Sequence, residues 1–137
     1  MERTLAIIKP DAVAGGVVGT ILAMIEQAGF RICGLEMVRL TKERAREFYA
    51  VHEGKPFFGS LSAFMASGPV VVVALEREDA VACLRELMGS TNPAQAEEGT
   101  VRRRFGESIE RNAIHGADSP EAARRELRFF FPELGMQ

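Results

Sequence analysis

The sequence has no long hydrophobic run. Its most sustained apolar stretch, Val70-Val71-Val72-Val73-Ala74-Leu75, falls far short of the roughly 18 residues that mark a membrane span. It also lacks a strong charge of either sign: 17 Lys and Arg against 19 Asp and Glu leave a formal charge of −2. That excludes a polybasic membrane binder and argues against a nucleic-acid coat, whose affinity comes from neutralising phosphates. Cysteine is scarce. Cys33 and Cys83 stand in apolar segments without a CxxC or a histidine neighbour, so both are expected to be reduced core residues. The N-terminus, Met1-Glu2-Arg3-Thr4, enters a strand-like run with neither an apolar leader nor a small-residue cleavage site, and a cytoplasmic protein is expected. Repeats, low-complexity tracts and linkers are missing as well. What remains, 47% hydrophobic and 26% charged residues over 137 positions, is an ordinary globular balance. It is expected to form a single domain over 1–137.

Periodicity supplies the elements. Thr4-Leu5-Ala6-Ile7-Ile8-Lys9 is apolar on both alternating faces, the mark of a strand covered on both sides, and it ends at Lys9-Pro10-Asp11. After a loop at Gly15-Gly16, Val18, Ile21, Leu22 and Ile25 form the stripe of an amphipathic helix that Gly29 stops. A second strand spans about Phe30 to Leu40. Thr41 can cap a helix with the stripe Ala45, Phe48, Tyr49 and His52, broken at Gly54-Lys55-Pro56. A short helix carries Phe58, Leu61, Phe64 and Met65, and Gly68-Pro69 introduces a valine-rich strand, Val70 to Leu75. Residues 78–88 read as a helix stopped by Gly89. From Ser90 to Asp118 the pattern weakens, with one helical turn near Val101 to Phe105; a stretch this long in a compact domain is usually functional or disordered. Ser119-Pro120 opens a helix to about Leu127. Phe129-Phe130-Phe131 reads as a short buried strand. Without the insertions the order is βαββαβ: an α+β, ferredoxin-like sandwich with a four-stranded antiparallel sheet and helices packed on it.

Several chemical motifs are absent. There is no GxxxxGK(S/T) phosphate loop, no GxGxxG, no GxSxG elbow and no His/Cys/carboxylate cluster with zinc spacing. Two histidines exist. His52 reads as a packed or surface helix residue. His115 stands in Asn112-Ala113-Ile114-His115-Gly116-Ala117-Asp118-Ser119, just before a helix start. From the residues alone it is either a solvated loop histidine or a nucleophile presented to an anionic phosphate. Arg102, Arg103 and Arg104 lie in the long polar stretch with Thr91 and Asn92, and Arg85 is on the polar side of its helix. Guanidinium forks and a hydroxyl suit phosphate oxygens, although an arginine triplet is as often a solvated basic turn. Phe57-Phe58 can give one core ring and one exposed ring for stacking on a base, or two core rings.

Together these segments resemble the nucleoside diphosphate kinase family. The resemblance rests on Ile8-Lys9-Pro10-Asp11, His52-Glu53-Gly54-Lys55-Pro56-Phe57-Phe58, Ser67-Gly68-Pro69-Val70, Gly89-Ser90-Thr91-Asn92-Pro93-Ala94, Gly99-Thr100-Val101-Arg102 and Asn112-Ala113-Ile114-His115-Gly116. It runs from about Glu2 to Phe131. It implies a cytoplasmic, Mg²⁺-dependent kinase that transfers the terminal phosphoryl of a nucleoside triphosphate, chiefly ATP, to a nucleoside diphosphate by a ping-pong route. His115 matches the phosphorylated histidine. Lys9 and Asn112 match residues that hold the phosphate end and the ribose hydroxyls. Arg85, Thr91 and Arg102 match the phosphate binders, and Phe57 matches the ring that stacks on the base. Leu61 and Ile109 match the apolar lining of the base slot. Tyr49 matches the tyrosine near the histidine, and Glu126 the carboxylate that orients it. The metal is implied to travel on the nucleotide, with Asp118 reaching it through water.

The resemblance also implies a homo-oligomer built from a common dimer, as tetramer or hexamer, with the segment from Pro93 to Gly106 in assembly contacts. The short C-terminus ending at Gln137 resembles bacterial members. Two departures stand out: Ala117 replaces the serine usual after His-Gly, and Arg103 and Arg104 replace a position that is often acidic. An alternative is a catalytically relaxed member acting as a nucleotide-binding interaction or regulatory protein. The retained His115, Glu126, Arg85, Arg102, Thr91, Lys9 and Asn112 weigh against it.

Overall fold

The computed structural model describes residues 1–135; Met136 and Gln137, and with them the reading of the C-terminal end, lie outside the described residues. The elements are β1 (Glu2–Ile8), α1 (Pro10–Ala14), α2 (Val18–Gln27), β2 (Arg31–Val38), α3 (Lys42–Phe48), a 3-10 turn at Ala50–His52, α4 (Phe58–Met65), β3 (Val70–Arg77), α5 (Ala80–Met88), a 3-10 turn at Pro93–Gln95, α6 (Val101–Phe105), β4 (Ile114–Gly116), α7 (Pro120–Phe130) and α8 (Pro132–Gly135). The sheet order is β2-β3-β1-β4, antiparallel throughout. This is the α+β, ferredoxin-like arrangement.

Double-sided apolar strands take the centre because only there are both faces covered. Ala6 and Ile8 of β1 pack with Val71, Val73 and Leu75 of β3 against Ile21 and Ile25 of α2 and Leu84 of α5. Leu5 and Ile7 pack with Val70 and Val72 against Phe48, Met65 and Leu127 from α3, α4 and α7. Each such side chain fully buried contributes roughly 1.5–3 kcal/mol. The caps follow the sequence: Thr41 accepts from the Arg44 N–H at 3.1 Å and Ser119 from the Ala122 N–H at 3.1 Å.

Five expectations are corrected. Phe129 and Phe130 are not a strand. They complete α7, and the Phe131 N–H donates to the Leu127 carbonyl at its end. The fourth strand is Ile114–Gly116, paired with β1 through Ile8–Ile114, Ile7–His115 and Ala6–Gly116. A three-residue strand is too short to show a period, and a short apolar run fits a helix end as well as a strand. His115 therefore stands on a strand at the sheet edge. The helix capped by Thr41 stops at Phe48, and His52 lies on the separate 3-10 turn. Pro10 opens a short helix, α1, before Gly15; proline at the first helical position serves as well as proline after a strand. Finally, Cys33 and Cys83 are free thiols but only half-buried. Cys33 falls where the β2–β3 register shifts, between Ile32 and Gly34, which turns it partly out of the core.

Candidate active site

The end of β1, the strand β4, α5, α6 and α7 converge on a cleft of about 500 Å³, a volume suited to a small-molecule ligand. Every residue that the family resemblance assigns to the site lines it, whereas Arg103 and Arg104 do not. Lys9, Arg85, Thr91, Arg102 and Asn112 form one wall, Tyr49, His115 and Glu126 the floor, and Phe57, Leu61, Ile109 and the exposed Asp118 the rim and mouth.

At the floor the His115 Nε2 lies 2.8 Å from the Glu126 Oε1. A carboxylate only accepts, so Nε2 carries the proton and the neutral ring has its lone pair on Nδ1. No hydrogen bond engages Nδ1 among the described residues. Glu126 is buried on α7. The Phe48 and Tyr49 rings meet the imidazole edge-on at centroid distances of 5.3 and 5.8 Å. Together they leave the ring one orientation. Burial, reinforced by Glu126, pushes the Tyr49 phenol far above its ordinary value, so it stays protonated. Gly116 lets β4 close on α5: a Cβ there would stand 2.8 Å from the Met88 sulfur.

Along the wall, Lys9 is only 4% exposed. Its ammonium donates to the Glu110 carbonyl at 2.6 Å and to the Asn112 Oδ1 at 3.0 Å. The Asn112 Nδ2 in turn donates to the Thr91 carbonyl at 3.1 Å. Burial pulls the Lys9 pKa down to about 8; Asp11 and Glu110 oppose this, while Arg102 adds to it. Arg102 is buried too. Its Nη1 donates to the Gly89 carbonyl at 3.0 Å and its Nη2 to the Ile114 carbonyl at 2.8 Å, while its Nε is buried without a partner. Burial and the nearby Arg85 pull its pKa to about 10. Gly89 is required where it is: φ is +85°, and a Cβ would stand 2.6 Å from the Thr100 Oγ1. A buried cluster of cations with an unsatisfied N–H favours an anion.

At the mouth, Phe57 is 45% exposed and Ile109 62%. Their apolar surfaces, with Leu61 also in the cleft lining, suit a flat ring. His52, read from the sequence as an ordinary helix histidine, also lines the cleft, between Tyr49 (6.2 Å) and Phe57 (5.3 Å). Burial and Lys55, 3.5 Å from its Nδ1, lower its pKa. Arg125 and Val51 line the cleft as well. His52 opens a segment shared with the family, but nothing local in the sequence distinguishes Val51 or Arg125, whose approach to the cleft depends on where α3 stops and on the outward face of α7.

Among the described residues no three His, Cys, Asp or Glu side chains are grouped to hold a metal. Glu126 is engaged by His115 and Glu110 by Ser60, so Asp118 is the cleft carboxylate with no hydrogen bond or ion pair. Ala117 is fully buried against Val81, Ala122 and Ala123.

The model of the family described as nucleoside diphosphate kinase matches residues 2–136. A nucleoside diphosphate kinase of Geobacter sp. (strain M21) is 57% identical over 134 residues, covering 98% of both chains. One from Halorhodospira halophila is 56% identical over 131 residues, covering 96% of this chain and 93% of that one. Among solved structures, the Aquifex aeolicus nucleoside diphosphate kinase superposes with a TM-score of 0.96 at 47% identity, over 98% of this chain and 97% of that one. The Halobacterium salinarum enzyme, solved in complex with CDP, superposes with a TM-score of 0.91 at 41% identity, over 95% of this chain and 87% of that one.

Proposed function

The chain belongs to the nucleoside diphosphate kinase family and is a phosphotransferase, and we propose that it carries the terminal phosphoryl group on His115. The observation that supports this most is the Nε2–Glu126 hydrogen bond. It fixes the tautomer that leaves Nδ1 as the nucleophile and offers a carboxylate to the imidazolium charge that develops. In the first half-reaction the Nδ1 lone pair attacks the γ-phosphorus. The Nδ1–P bond forms as the bond to the bridging oxygen breaks, and the electron pair leaves with the nucleoside diphosphate. A second diphosphate attacks the phosphohistidine and reverses the step. Phosphoryl transfer needs mainly alignment and charge neutralisation. Arg85, Arg102 and Thr91 bind the phosphates, Lys9 holds the terminal phosphate end, and Asn112 takes a ribose hydroxyl. Phe57 stacks on the base, with Leu61 and Ile109 lining the slot. Stacking without base-edge hydrogen bonds accepts different bases, in keeping with the broad nucleotide use of this family. Tyr49 holds the imidazole plane.

The carboxylate set of the cleft fits a Mg²⁺ held mainly by the nucleotide phosphates, with Asp118 reaching it through water. That ion would neutralise phosphate charge and orient the transferring group. The reading extends to a cytoplasmic homo-oligomer, a dimer-based tetramer or hexamer. The edge strand β2 supports assembly: it exposes Leu35 (49%) and Met37 (62%) beside unpaired backbone groups. No helix among the described residues is long and apolar enough to cross a membrane.

The test is the intact mass of the protein after incubation with ATP and Mg²⁺ away from acid. One added phosphoryl group that disappears when GDP is added supports the reading. Absence of an adduct while ATP is shown to bind overturns it.

Two further outcomes follow from the geometry. Lys9 binds phosphate as the ammonium, which is fully present below its pKa of about 8 and lost above it. The profile of kcat/KM, which reports the free enzyme, therefore falls on the alkaline side of about 8; Lys9→Arg removes this limb, and an unchanged limb would refute the assignment. Ala117→Ser adds at most one neutral hydrogen bond near the histidine, about 0.5–1.5 kcal/mol. Turnover should rise by roughly tenfold or less, measured at saturating nucleotide. A gain of several orders of magnitude would mean that Ala117 leaves this enzyme impaired.

A further inference from the structure

We propose that Asp11, which does not line the cleft, is a positioning residue for the histidine segment: its carboxylate holds the backbone of Ala113 in the left-handed conformation from which Asn112 and His115 are both aimed. Ala113 has a φ of +75°, a region that non-glycine residues rarely enter, and it is fully buried. Such a conformation persists only where the surroundings over-determine it. Both of its backbone polar groups are held by the segment after β1. The Asp11 Oδ2 accepts from the Ala113 N–H at 3.0 Å, and the Lys9 N–H donates to the Ala113 carbonyl at 2.9 Å. Immediately before it, Asn112 is tied to the Lys9 ammonium; immediately after it, the Ile114 carbonyl is held by Arg102, and His115 pairs with Ile7 of β1. Ala113 is thus the joint between the residue placed at the ribose and the residue placed at the phosphorus.

Asp11 is not there for ordinary packing. Its Oδ1 is buried without a partner, which costs stability. Burial raises its pKa, while Lys9 and the amides around it oppose that. Its charge acts in a second way. Lys9 faces Asp11 from α1, Glu110 from the segment before Asn112, and Arg102 from α6, with the Phe64 ring of α4 beneath it at 5.6 Å. Asp11 is the larger of the two groups that help the buried ammonium keep its proton. It lies behind the cleft, lining a separate cavity with Arg39 and Arg111, so it acts through Ala113 and Lys9 and not on substrate.

This rests on His115 as the phosphoryl carrier, and the experiment separates the two claims. The rate of phosphohistidine formation at saturating ATP and Mg²⁺ is measured by rapid quench and intact mass for the parent, Asp11→Ala, Asp11→Asn, Ala113→Gly and the Asp11→Ala/Ala113→Gly pair. Asp11→Ala is expected to slow phosphorylation at least about tenfold at a temperature where it is folded. Glycine adopts positive φ without penalty, so Ala113→Gly restores most of that loss in the double variant, a rescue that a merely structural role for Asp11 does not give. Asp11→Asn keeps an acceptor for the Ala113 N–H but removes the charge. It therefore retains most of the rate while the alkaline limb of kcat/KM moves to lower pH. An Asp11→Ala rate within about twofold of the parent, or a loss that Ala113→Gly does not relieve, overturns the proposal. If Asp11→Ala does not fold, the Asp11→Ala/Ala113→Gly pair decides: a folded protein phosphorylated at close to the parent rate supports the proposal, and one that is slow or unfolded overturns it. An adduct on the parent with an unslowed Asp11→Ala variant overturns the positioning role alone. No adduct on the parent overturns the carrier role of His115 and the positioning role with it.

Discussion

Replacing His115 by alanine leaves a protein that binds nucleotide and acquires no phosphoryl group. Turnover falls by roughly 10⁴-fold or more, the scale seen when a nucleophile is deleted. The groups proposed to bind the nucleotide are untouched: Lys9, Arg85, Thr91, Arg102, Asn112 and Phe57 line the cleft on other segments. The loss therefore appears in kcat and not in the affinity for a nucleoside diphosphate. Truncation removes the partner of the Glu126 carboxylate, which is buried, so stability falls by about 1–3 kcal/mol; the fold, centred on β1 and β3, persists. The chain has one other histidine, His52, whose proton affinity is lowered by burial and Lys55. An adduct that survives in His115→Ala would transfer the carrier role there. Turnover without any adduct would mean direct transfer between two bound nucleotides. Intact mass and steady-state rates on the same preparation distinguish these outcomes.

Arg102→Met is expected to have the second-largest effect. In the proposed site Arg102 would give phosphate two charge-assisted contacts, at about 1.5–3 kcal/mol each, and their loss corresponds to a fall in kcat/KM of roughly 10²–10⁴-fold. The guanidinium also joins two backbone carbonyls that flank the site: Gly89, at the start of the segment carrying Thr91, and Ile114, next to His115. Methionine fills the space but ties neither. For stability two effects oppose each other. Orphaning the carbonyls destabilises, while removing a buried cation whose Nε has no partner relieves a desolvation penalty. The net change in stability should stay within about 2 kcal/mol, far less than the loss of transition-state binding. Arg102→Lys keeps the charge but has no fork with which to span both carbonyls, so it rescues only part of the activity. Parallel measurement of kcat/KM and denaturant midpoint checks this. A variant within tenfold of the parent in kcat/KM would remove Arg102 from the phosphate site.

Much of the architecture was legible in the chain. Leu5-Ala6-Ile7-Ile8 and Val70-Val71-Val72-Val73 are apolar at every position and, bounded by Pro10 and by Gly68-Pro69 and rich in β-branched residues, read as strands with both faces covered. Thr41 and Ser119 announced their helices because an N-cap is a local contact, made within three residues. Phe129-Phe130-Phe131 misled for the same reason that Ile114-His115-Gly116 went unseen: over three residues, periodicity cannot separate strand from helix. The error matters for function, since it placed His115 in a loop when it stands on a strand locked to Ile7.

By itself the sequence determined the ingredients: double-sided strands, the capped helices, a chain nearly neutral in charge, and an ordered set of short motifs whose spacing matches one family. Tertiary structure decided how those ingredients act. Only the fold sets Glu126 on Nε2 of His115 and so leaves Nδ1 open, ties Lys9 through Asn112 to Thr91, joins Gly89 to Ile114 through Arg102, and pins Ala113 from Asp11. The physical reason is range. Propensity, capping and periodicity act between near neighbours in sequence, whereas these contacts join distant segments whose separation is set by sheet register and helix packing.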